Sequence, residues 1–256
     1  MKGIILAAGE GKRLSPLTDL HPKCMINYNG KTIINYILDT MDQCGIENPI
    51  IVNGYKKEIL EKHLRDRDIS YYTNENYAVT NMVATLFCAE DDFDDDIIIS
   101  YADIIFTDDV LKKLIVSNYD ISVVVDSKWQ DLWEMRMDVP LQDAETMKIN
   151  NDGNIIGLGK TPNSYEDVEG QYIGLIKISK KIISKVSKFY HNLDKKVTYG
   201  GEDFNNMYMT TLLQLIINNL SPVKAVLING GWLEFDTIKD LESYKGLSPD
   251  SIRKKK

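Results

Sequence analysis

The sequence predicts an α/β fold built on a doubly wound, mostly parallel sheet. In the first half of the chain, short apolar runs alternate with segments whose apolar residues recur at helical spacing. The runs at residues 4–8 and 97–101 are almost continuously apolar, which is typical of strands covered on both faces. Such a strand–helix–strand order favours parallel neighbours joined by right-handed crossovers, which is a Rossmann-like arrangement.

The same patterns assign the other elements in chain order. Further strands are predicted at residues 49–52, 70–72, 121–125, 171–178, 223–228 and 232–235. Helices are predicted at residues 33–41, 56–64, 80–89, 108–116, 181–190 and 207–218. The alternation weakens after about residue 126, but no linker follows. We therefore expect residues 1–256 to form a single domain with two halves, 1–126 and 127–256.

Composition and charge exclude several classes of protein. The chain of 256 residues has a net charge of -8, so we expect no nucleic acid as partner. No apolar run approaches the length of a membrane span, and we expect no membrane partner. The three cysteines show no C-x-x-C spacing, which argues against a disulfide framework or a zinc site and favours a cytoplasmic location. A homodimer is compatible with the sequence.

A glycine-rich loop follows the first predicted strand and carries the strongest functional signal. It reads Leu-Ala-Ala-Gly-Glu-Gly-Lys-Arg-Leu over residues 6–14, and Pro-Lys follows at 22–23. A dinucleotide-binding fingerprint would need glycine at Leu14, and a P-loop would need glycine at Leu6 and serine or threonine at Arg13. What remains is a turn whose small residues admit a base and phosphates, with Arg13 and Lys23 to neutralise phosphate charge.

These residues resemble the signature of the sugar-phosphate nucleotidyltransferase superfamily. The resemblance implies a GT-A-like fold in which residues 1–126 bind the nucleotide and residues 127–256 form an acceptor-binding lid region. It makes Arg13 and Lys23 the catalytic cations. It also implies nucleotide contacts along the loop, from Leu6, Ala7, Ala8, Gly9, Glu10 and Gly11.

Acidic residues at two other places indicate a metal site. Asp103 follows a buried strand, so it reaches the same edge of a parallel sheet as the glycine loop. The alternation of residues 232–236 puts Glu234 and Asp236 on one face of a strand. The resemblance makes Asp103 and Asp236 ligands of Mg²⁺, with Glu234 as a third candidate and Ala102 beside the nucleotide. Magnesium suits one or two carboxylates together with substrate phosphates.

The histidines do not form a catalytic set with serine, cysteine or aspartate. A phosphate monoester is already largely a dianion at neutral pH, so its direct in-line attack on an α-phosphorus needs no enzyme base. Positioning and charge neutralisation are sufficient for that reaction. We therefore interpret His21, His63 and His191 as structural or surface residues.

Further segments resemble the cytidylyltransferases that activate phosphocholine and 2-aminoethylphosphonate. The turn Gly54-Tyr55 and the segment Thr80-Asn81-Met82 are similar to their cytidine-binding residues, although Asn81 could equally be a helix N-cap. Residues 100–103, 143–146, 171–174 and 206–210 most resemble the phosphoglutamine cytidylyltransferases of capsule phosphoramidate biosynthesis. That resemblance implies CTP and a small phosphorylated acceptor, L-glutamine phosphate, as substrates, with pyrophosphate as a product.

An acceptor with a phosphate and a zwitterionic head needs a cation and polar or aromatic walls. Lys128, Lys160 and Arg136 are candidates for the phosphate contact, and the resemblance favours Lys160. Core packing or a solvated surface is the alternative for every aromatic or acidic candidate. The candidates for the walls are Trp129, Trp133, Tyr172, Trp232, Asp143, Glu145 and Glu169.

Other functions stay open at this point. Phosphocholine or 2-aminoethylphosphonate could replace phosphoglutamine as the acceptor. A hexose-1-phosphate nucleotidyltransferase using UTP or dTTP is a second enzymatic alternative. An inactive nucleotide-sensing subunit is the non-enzymatic one, although the presence of both cations and both aspartates argues against it.

Overall fold

The computed structural model describes residues 1–253, and the last three residues of the predicted domain lie outside it. Its strands are β1 (Lys2–Ala7), β2 (Asn27–Tyr28), β3 (Lys31–Thr32), β4 (Ile50–Asn53), β5 (Ser70–Thr73), β6 (Ile97–Tyr101), β7 (Ile104–Phe106), β8 (Ile121–Asp126), β9 (Met147–Ile149), β10 (Asn154–Leu158), β11 (Gln171–Ile178), β12 (Val223–Ile228) and β13 (Trp232–Glu234). Its helices are α1 (Ile33–Gln43), α2 (Lys57–His63), α3 (Met82–Phe87), α4 (Asp108–Ile115), α5 (Trp129–Arg136), α6 (Lys180–His191), α7 (Met209–Asn219), α8 (Ile238–Ser243) and α9 (Pro249–Arg253).

A nine-stranded sheet in the order β5-β4-β1-β6-β11-β8-β12-β10-β9 forms the centre of the molecule. Strands β5, β4, β1 and β6 are parallel neighbours, as are β8 and β12. Only β10 and β11 run against the common direction among the strands of this sheet in residues 1–253. The prediction of a mostly parallel, doubly wound α/β sheet is therefore confirmed.

The apolar patterns of the first half explain its packing. The β1 residues Ile4 and Ile5 are completely buried, as expected for a strand with neighbours on both sides and helices on both faces. Helix α1 buries an apolar stripe at helical spacing, and Gly45 just after it has a φ of 76°, which suits a residue that ends a helix. The stripe consists of Ile33, Ile34, Ile37, Leu38 and Met41.

Strand β11 connects the second half of the chain to the first half. It pairs antiparallel with β6 on one side and with β8 on the other. Backbone hydrogen bonds thus make residues 171–178 an interior strand between two elements of the first half. Along residues 1–253, no helix is both long and apolar enough to cross a membrane.

A small two-stranded ribbon stands apart from the main sheet. Its strands β7 and β13 are antiparallel, with Leu233 opposite Ile105 and Glu234 opposite Ile104. The backbone N–H of Phe235 also donates to the carbonyl of Asp103 at 2.9 Å. This ribbon therefore brings residues 232–235 to the carboxyl end of β6, although the two segments are far apart in sequence.

Candidate active site

A cavity of about 360 Å³ opens at the carboxyl ends of β1 and β6. Open α/β sheets place their ligands at this edge. The cavity brings together most of the predicted loop residues, both predicted catalytic cations and both predicted metal-binding aspartates. Its lining consists of Leu6, Ala7, Gly9, Glu10, Gly11, Lys12, Arg13, Lys23, Cys24, Met82, Tyr101, Ala102, Asp103 and Asp236.

The glycine-rich loop holds its shape through a left-handed residue and a short helical turn. Gly11 has a φ of 65°, and its carbonyl accepts hydrogen bonds from the Leu14 N–H at 2.9 Å and the Thr18 hydroxyl at 3.0 Å. A Cβ atom at Gly11 would lie 2.8 Å from the Cβ of Lys23. Glycine at this position therefore permits both the backbone conformation and the close approach of Lys23.

Lys23 connects the two predicted metal-binding carboxylates. Its ammonium lies 2.7 Å from Oδ2 of Asp103 and also bonds Oδ1 of Asp236. Burial alone would lower the pKa of Lys23, but the two carboxylates outweigh it and raise this pKa above its ordinary value. Lys23 is therefore a permanent cation at physiological pH.

Arg13 adds a second cation from the solvent side. One of its guanidinium nitrogens lies 3.1 Å from Oδ1 of Asp236, and its side chain is 64% exposed. Burial would raise the pKa of Asp236, but Lys23, followed by Arg13 and Arg136, lowers it below its usual range. The cluster thus pairs carboxylates with cations, of which the exposed Arg13 can turn towards a phosphate.

The acidic pair fits an oxygen-seeking divalent cation. Oδ1 of Asp103 is buried and has no hydrogen-bond partner in the part of the chain that the structure describes. No group of three or more His, Cys, Asp or Glu side chains within residues 1–253 is arranged to hold a metal. A closed protein cage is therefore absent from this region, and the two aspartates match an ion that also takes phosphate and water ligands.

Glu234 occupies a different position from the two aspartates. Its carboxylate forms an ion pair with Nη1 of Arg136, a contact on the interior side of the ribbon. Burial raises the pKa of Glu234 above its usual range, and the Arg136 guanidinium opposes that shift. Glu234 is thus paired with Arg136. Its carboxylate does not line the cavity among the described residues.

The predicted cytidine-binding turn packs directly on the glycine loop. The N–H of Tyr55 donates to the carbonyl of Ala8 at 3.0 Å, and the Tyr55 hydroxyl donates to the carbonyl of Thr18. A Cβ atom at Gly54 would lie 2.9 Å from the same Ala8 oxygen. Glycine is therefore required for the close contact between the ends of β1 and β4.

The polar side chains at the start of α3 are engaged locally. Asn81 is the N-cap of α3, and its side chain accepts the Met82 N–H at 2.8 Å. The Thr80 hydroxyl donates to the carbonyl of Asn76 at 2.9 Å. Of these three residues only Met82 lines the cavity. The structure thus shows Asn81 acting as a helix N-cap. A contact between Asn81 and cytidine stays a prediction.

Three of the predicted acceptor-binding aromatics, Trp129, Trp133 and Trp232, are core residues. Trp232 is 1% exposed and donates its indole N–H to Oδ2 of Asp126 at 2.7 Å. Trp129 is 3% exposed and packs edge-to-face against Trp133. None of the three tryptophans lines the cavity among the described residues. Burial of their large apolar rings explains these positions.

The charged acceptor candidates lie in two kinds of environment. Lys128 and Lys160 are exposed, and Glu169 pairs with Lys148 at 3.3 Å on the surface. Glu145 is half-buried, and burial raises the pKa of its carboxyl. None of these four predicted residues lines the cavity in residues 1–253.

Tyr172 is the predicted acceptor residue that lies next to the cavity. Its ring packs edge-to-face on Tyr101, with ring centroids 5.7 Å apart, and Tyr101 lines the cavity. The Tyr172 hydroxyl is buried without a hydrogen-bond partner in the described chain. Sequence reasoning overlooked Tyr101, because a tyrosine at the end of an apolar strand gives no separate signal.

Arg136 corrects one further expectation. As a candidate for the acceptor phosphate it would have to face solvent or the cavity, but its side chain is completely buried. Its guanidinium instead contacts Glu234, Asp236 and Asp240. The sequence did contain a signal for Asp240, because Thr237 and Asp240 have the spacing of a capping box, which the structure shows at the start of α8.

The fold and the cavity together define an α/β protein with two cations and two carboxylates clustered at the carboxyl edge of its sheet. Residues 3–146 match the family model described as the MobA-like NTP transferase domain. The chain is also 45% identical to CTP:phosphoglutamine cytidylyltransferase of Campylobacter jejuni, over 94% of this chain and 98% of that protein. The chain belongs to the MobA-like NTP transferase family and is a nucleotidyltransferase. Enzymes of this family generally use a divalent metal ion.

Solved structures of similar proteins share the fold. The inositol-1-phosphate CTP transferase of T. maritima superposes with a TM-score of 0.72 at 22% identity, covering 96% of this chain and 97% of that chain. The CTP:phosphocholine cytidylyltransferase of Streptococcus pneumoniae gives a TM-score of 0.70 at 21% identity, covering 95% and 97% of the two chains. At these identities the likeness concerns the fold alone.

Proposed function

We propose that this chain is a Mg²⁺-dependent cytidylyltransferase that joins CTP to L-glutamine phosphate. The products are a CDP-linked glutamine and pyrophosphate. The observation that carries the proposal is the 45% identity with CTP:phosphoglutamine cytidylyltransferase over almost the whole length of both chains. The cluster of two cations and two aspartates at the cavity supports the same chemistry.

The reaction is a single in-line displacement. A phosphate oxygen of the acceptor attacks the α-phosphorus of CTP, and the bond from that phosphorus to the bridging oxygen breaks. Pyrophosphate leaves with the electron pair of this bond. Lys23 and Arg13 neutralise the charge that develops on the α-phosphate and on the leaving group. No side chain has to remove a proton, since the acceptor phosphate is largely ionised at neutral pH.

Asp103 and Asp236 are the proposed ligands of the metal ion. Mg²⁺ held by these two residues would offset the negative charge of the triphosphate. The unpartnered Oδ1 of Asp103 supports this assignment, because a buried carboxylate oxygen costs free energy unless a cation or donor meets it. Glu234 is already paired with Arg136, so we propose two protein ligands.

The two halves of the chain have complementary tasks in this proposal. Residues 1–126 supply the glycine loop, Gly54, Tyr55 and the start of α3 for the nucleotide. Residues 127–256 supply Asp236 for the metal and a wall for the acceptor. Tyr172 and Glu145 are the best-supported candidates for that wall, since Tyr172 packs on a residue of the cavity and Glu145 is close to both tyrosines.

A matrix of substrates tests the proposed function. Purified enzyme is incubated with each of CTP, UTP, dTTP and ATP, paired with L-glutamine phosphate, phosphocholine, 2-aminoethylphosphonate or glucose-1-phosphate, and pyrophosphate release is measured with and without Mg²⁺. We expect CTP with L-glutamine phosphate to give the highest kcat/KM, and chelation of Mg²⁺ to abolish release. Equal or faster turnover with UTP or dTTP and glucose-1-phosphate would refute the proposal, as would the absence of turnover with every pair.

A further inference from the structure

Arg136 is a completely buried cation at the back of the metal-binding ribbon. It is the last residue of α5, and its guanidinium stacks over the ring of Trp133 at 4.9 Å. A buried guanidinium is costly unless anionic partners surround it. Arg136 has such partners. Its guanidinium forms ion pairs with three carboxylates from one short segment of the chain, those of Glu234, Asp236 and Asp240.

Asp236 lies between cations on two sides. Its Oδ1 faces Lys23 and Arg13 at the cavity, whereas its Oδ2 lies 3.6 Å from Nη2 of Arg136. This Nη2 is buried and makes no hydrogen bond in the described chain. One oxygen of Asp236 therefore faces the interior cation, and the other faces the cavity.

Asp240 joins the side chain of Arg136 to the backbone that carries Asp236. One oxygen of Asp240 accepts the Nε–H of Arg136 at 3.1 Å. The other oxygen accepts the backbone N–H groups of Asp236 and Thr237, each at 2.8 Å. Because Asp240 is 1% exposed, water does not compete for these bonds. The guanidinium and the backbone of Asp236 thus form one hydrogen-bonded unit.

We propose that Arg136 is a positioning residue that holds Asp236 in the orientation required for metal binding, acting directly on its carboxylate and through Asp240 on its backbone. This role rests on the proposed function of Asp236 as a metal ligand. It differs from a contact to the acceptor phosphate, which a completely buried guanidinium that faces three carboxylates cannot make. The partners of metal ligands commonly set the affinity for the ion.

Arg136→Lys is the most informative variant. A lysine keeps the charge but lacks the planar fork that reaches three carboxylates at once. We expect the affinity for Mn²⁺ in the presence of CTP, measured from the EPR signal of free Mn²⁺, to fall about tenfold, as is common when such a partner is changed. We expect kcat to fall in parallel, and the KM for the acceptor to stay within about twofold of wild type, because the residue contacts no acceptor.

Arg67→Lys is the matched control. Arg67 also contacts two carboxylates, those of Asp39 and Asp42, but it lies away from the cavity and is partly exposed. This variant should bind Mn²⁺ and turn over like wild type. Unchanged Mn²⁺ affinity in Arg136→Lys, or an increased acceptor KM with normal Mn²⁺ affinity, would overturn the proposal.

A second variant keeps the inference testable if Arg136→Lys does not fold. Asp240→Asn retains an oxygen for the backbone N–H groups, but its amide nitrogen cannot accept the Nε–H of Arg136. We expect a several-fold loss of Mn²⁺ affinity, and wild-type affinity would overturn the role of the unit.

Mn²⁺ binding is measured without turnover. A wild-type enzyme that binds Mn²⁺ with CTP but transfers no cytidylyl group would therefore refute the proposed function, and the Arg136 comparison would still be decided.

Discussion

At the scale of single residues, the chemistry depends on charges that the fold forces close together. Lys23 is the centre of this arrangement, because its ammonium bridges Asp103 and Asp236. A cation between these two carboxylates offsets the cost of removing their charge from water. In the proposed reaction Asp103 and Asp236 would hold a metal ion, and the same ammonium would then be available to the triphosphate.

Replacement of Lys23 tests this role directly. Lys23→Met removes the charge but keeps much of the side-chain volume, and we expect kcat/KM to fall by about 10² or more because a charge-neutralising donor is lost. Kinetics and thermal unfolding of the variant should be measured together. Lys2→Met is a suitable control, since Lys2 also bonds two carboxylates, Asp92 and Asp94, but at the opposite end of β1. Equal losses in both variants would contradict a specific role for Lys23.

Gly11 shows how one backbone conformation affects the site. In Gly11→Ala the new Cβ meets Lys23, and the left-handed φ adds strain of roughly 1–3 kcal/mol. We expect this variant to lose both stability and kcat/KM. Gly45→Ala has a comparable φ of 76° but meets no atom within 4 Å, so it should lose stability alone. A Gly11→Ala enzyme with full activity would show that Lys23 does not depend on the loop.

The candidate site was predictable from the sequence only where a local motif carried it. Most of the loop residues, together with Arg13, Lys23, Asp103 and Asp236, line the cavity in the structure. The glycine-rich motif and the family resemblance that it carries predicted these positions. The acceptor candidates had no such motif, and Trp129 and Trp232 lie in the core. Burial of an aromatic or an arginine depends on packing between distant segments, which composition and periodicity do not reveal.

At the scale of secondary-structure elements, the ribbon of β7 and β13 joins the two acidic positions. Its antiparallel pairing and the bond from Phe235 to Asp103 set the distance between the backbones that carry the aspartates. The ribbon is also attached to the end of β8, since Asp126 accepts the Trp232 indole N–H and the N–H of Gly230. Trp232 is thus an anchor of the ribbon.

The variant Trp232→Phe measures how much this anchor contributes to the free energy of unfolding. The change removes a buried hydrogen bond to a carboxylate, which should cost about 1–3 kcal/mol of unfolding free energy. Trp133→Phe is a matched control, because the indole N–H of Trp133 has no partner within the described residues. Urea unfolding should therefore show a smaller loss for Trp133→Phe. An increase in acceptor KM for Trp232→Phe without loss of stability would instead support the acceptor contact predicted from the sequence.

The elements themselves were predictable to different degrees. The first-half strands and helices have strong periodic patterns, and their predicted positions agree with β1, β4, β6, α1 and α4 to within a few residues. The short strands β7, β9 and β10 and helices α5 and α8 were not predicted. Strands β7, β9 and β10 and helix α8 have at most six residues, so their apolar patterns are too brief to distinguish from a loop. Helix α5 is as long as α4, but its buried residues include Arg136 and do not form a purely apolar stripe.

At the scale of the whole molecule, β11 makes the two halves dependent on each other. It lies between β6 and β8, and without it both strands would expose unpaired edges. The second half also supplies Asp236, so neither half contains a complete site. These contacts support the proposal of one domain with a nucleotide half and an acceptor half.

Separate expression of residues 1–126 tests that dependence. We expect this fragment to aggregate or to lack cooperative thermal unfolding, because β6 and β8 lose their shared neighbour. Circular dichroism and CTP titration of the purified fragment provide the measurement. A soluble fragment that unfolds cooperatively and binds CTP as tightly as the full chain would show that the halves are independent domains.

In the proposed reaction, Lys23, Asp103 and Asp236 surround the reacting phosphorus. A crystal structure of the enzyme with Mn²⁺ and a non-hydrolysable CTP analogue tests it most directly, because anomalous scattering locates the Mn²⁺ ion unambiguously. We expect the ion to bind Asp103 and Asp236, and the α-phosphate to lie within hydrogen-bond distance of the Lys23 ammonium. An ion and an α-phosphate bound elsewhere, with Lys23 still bridging the two aspartates, would contradict this account.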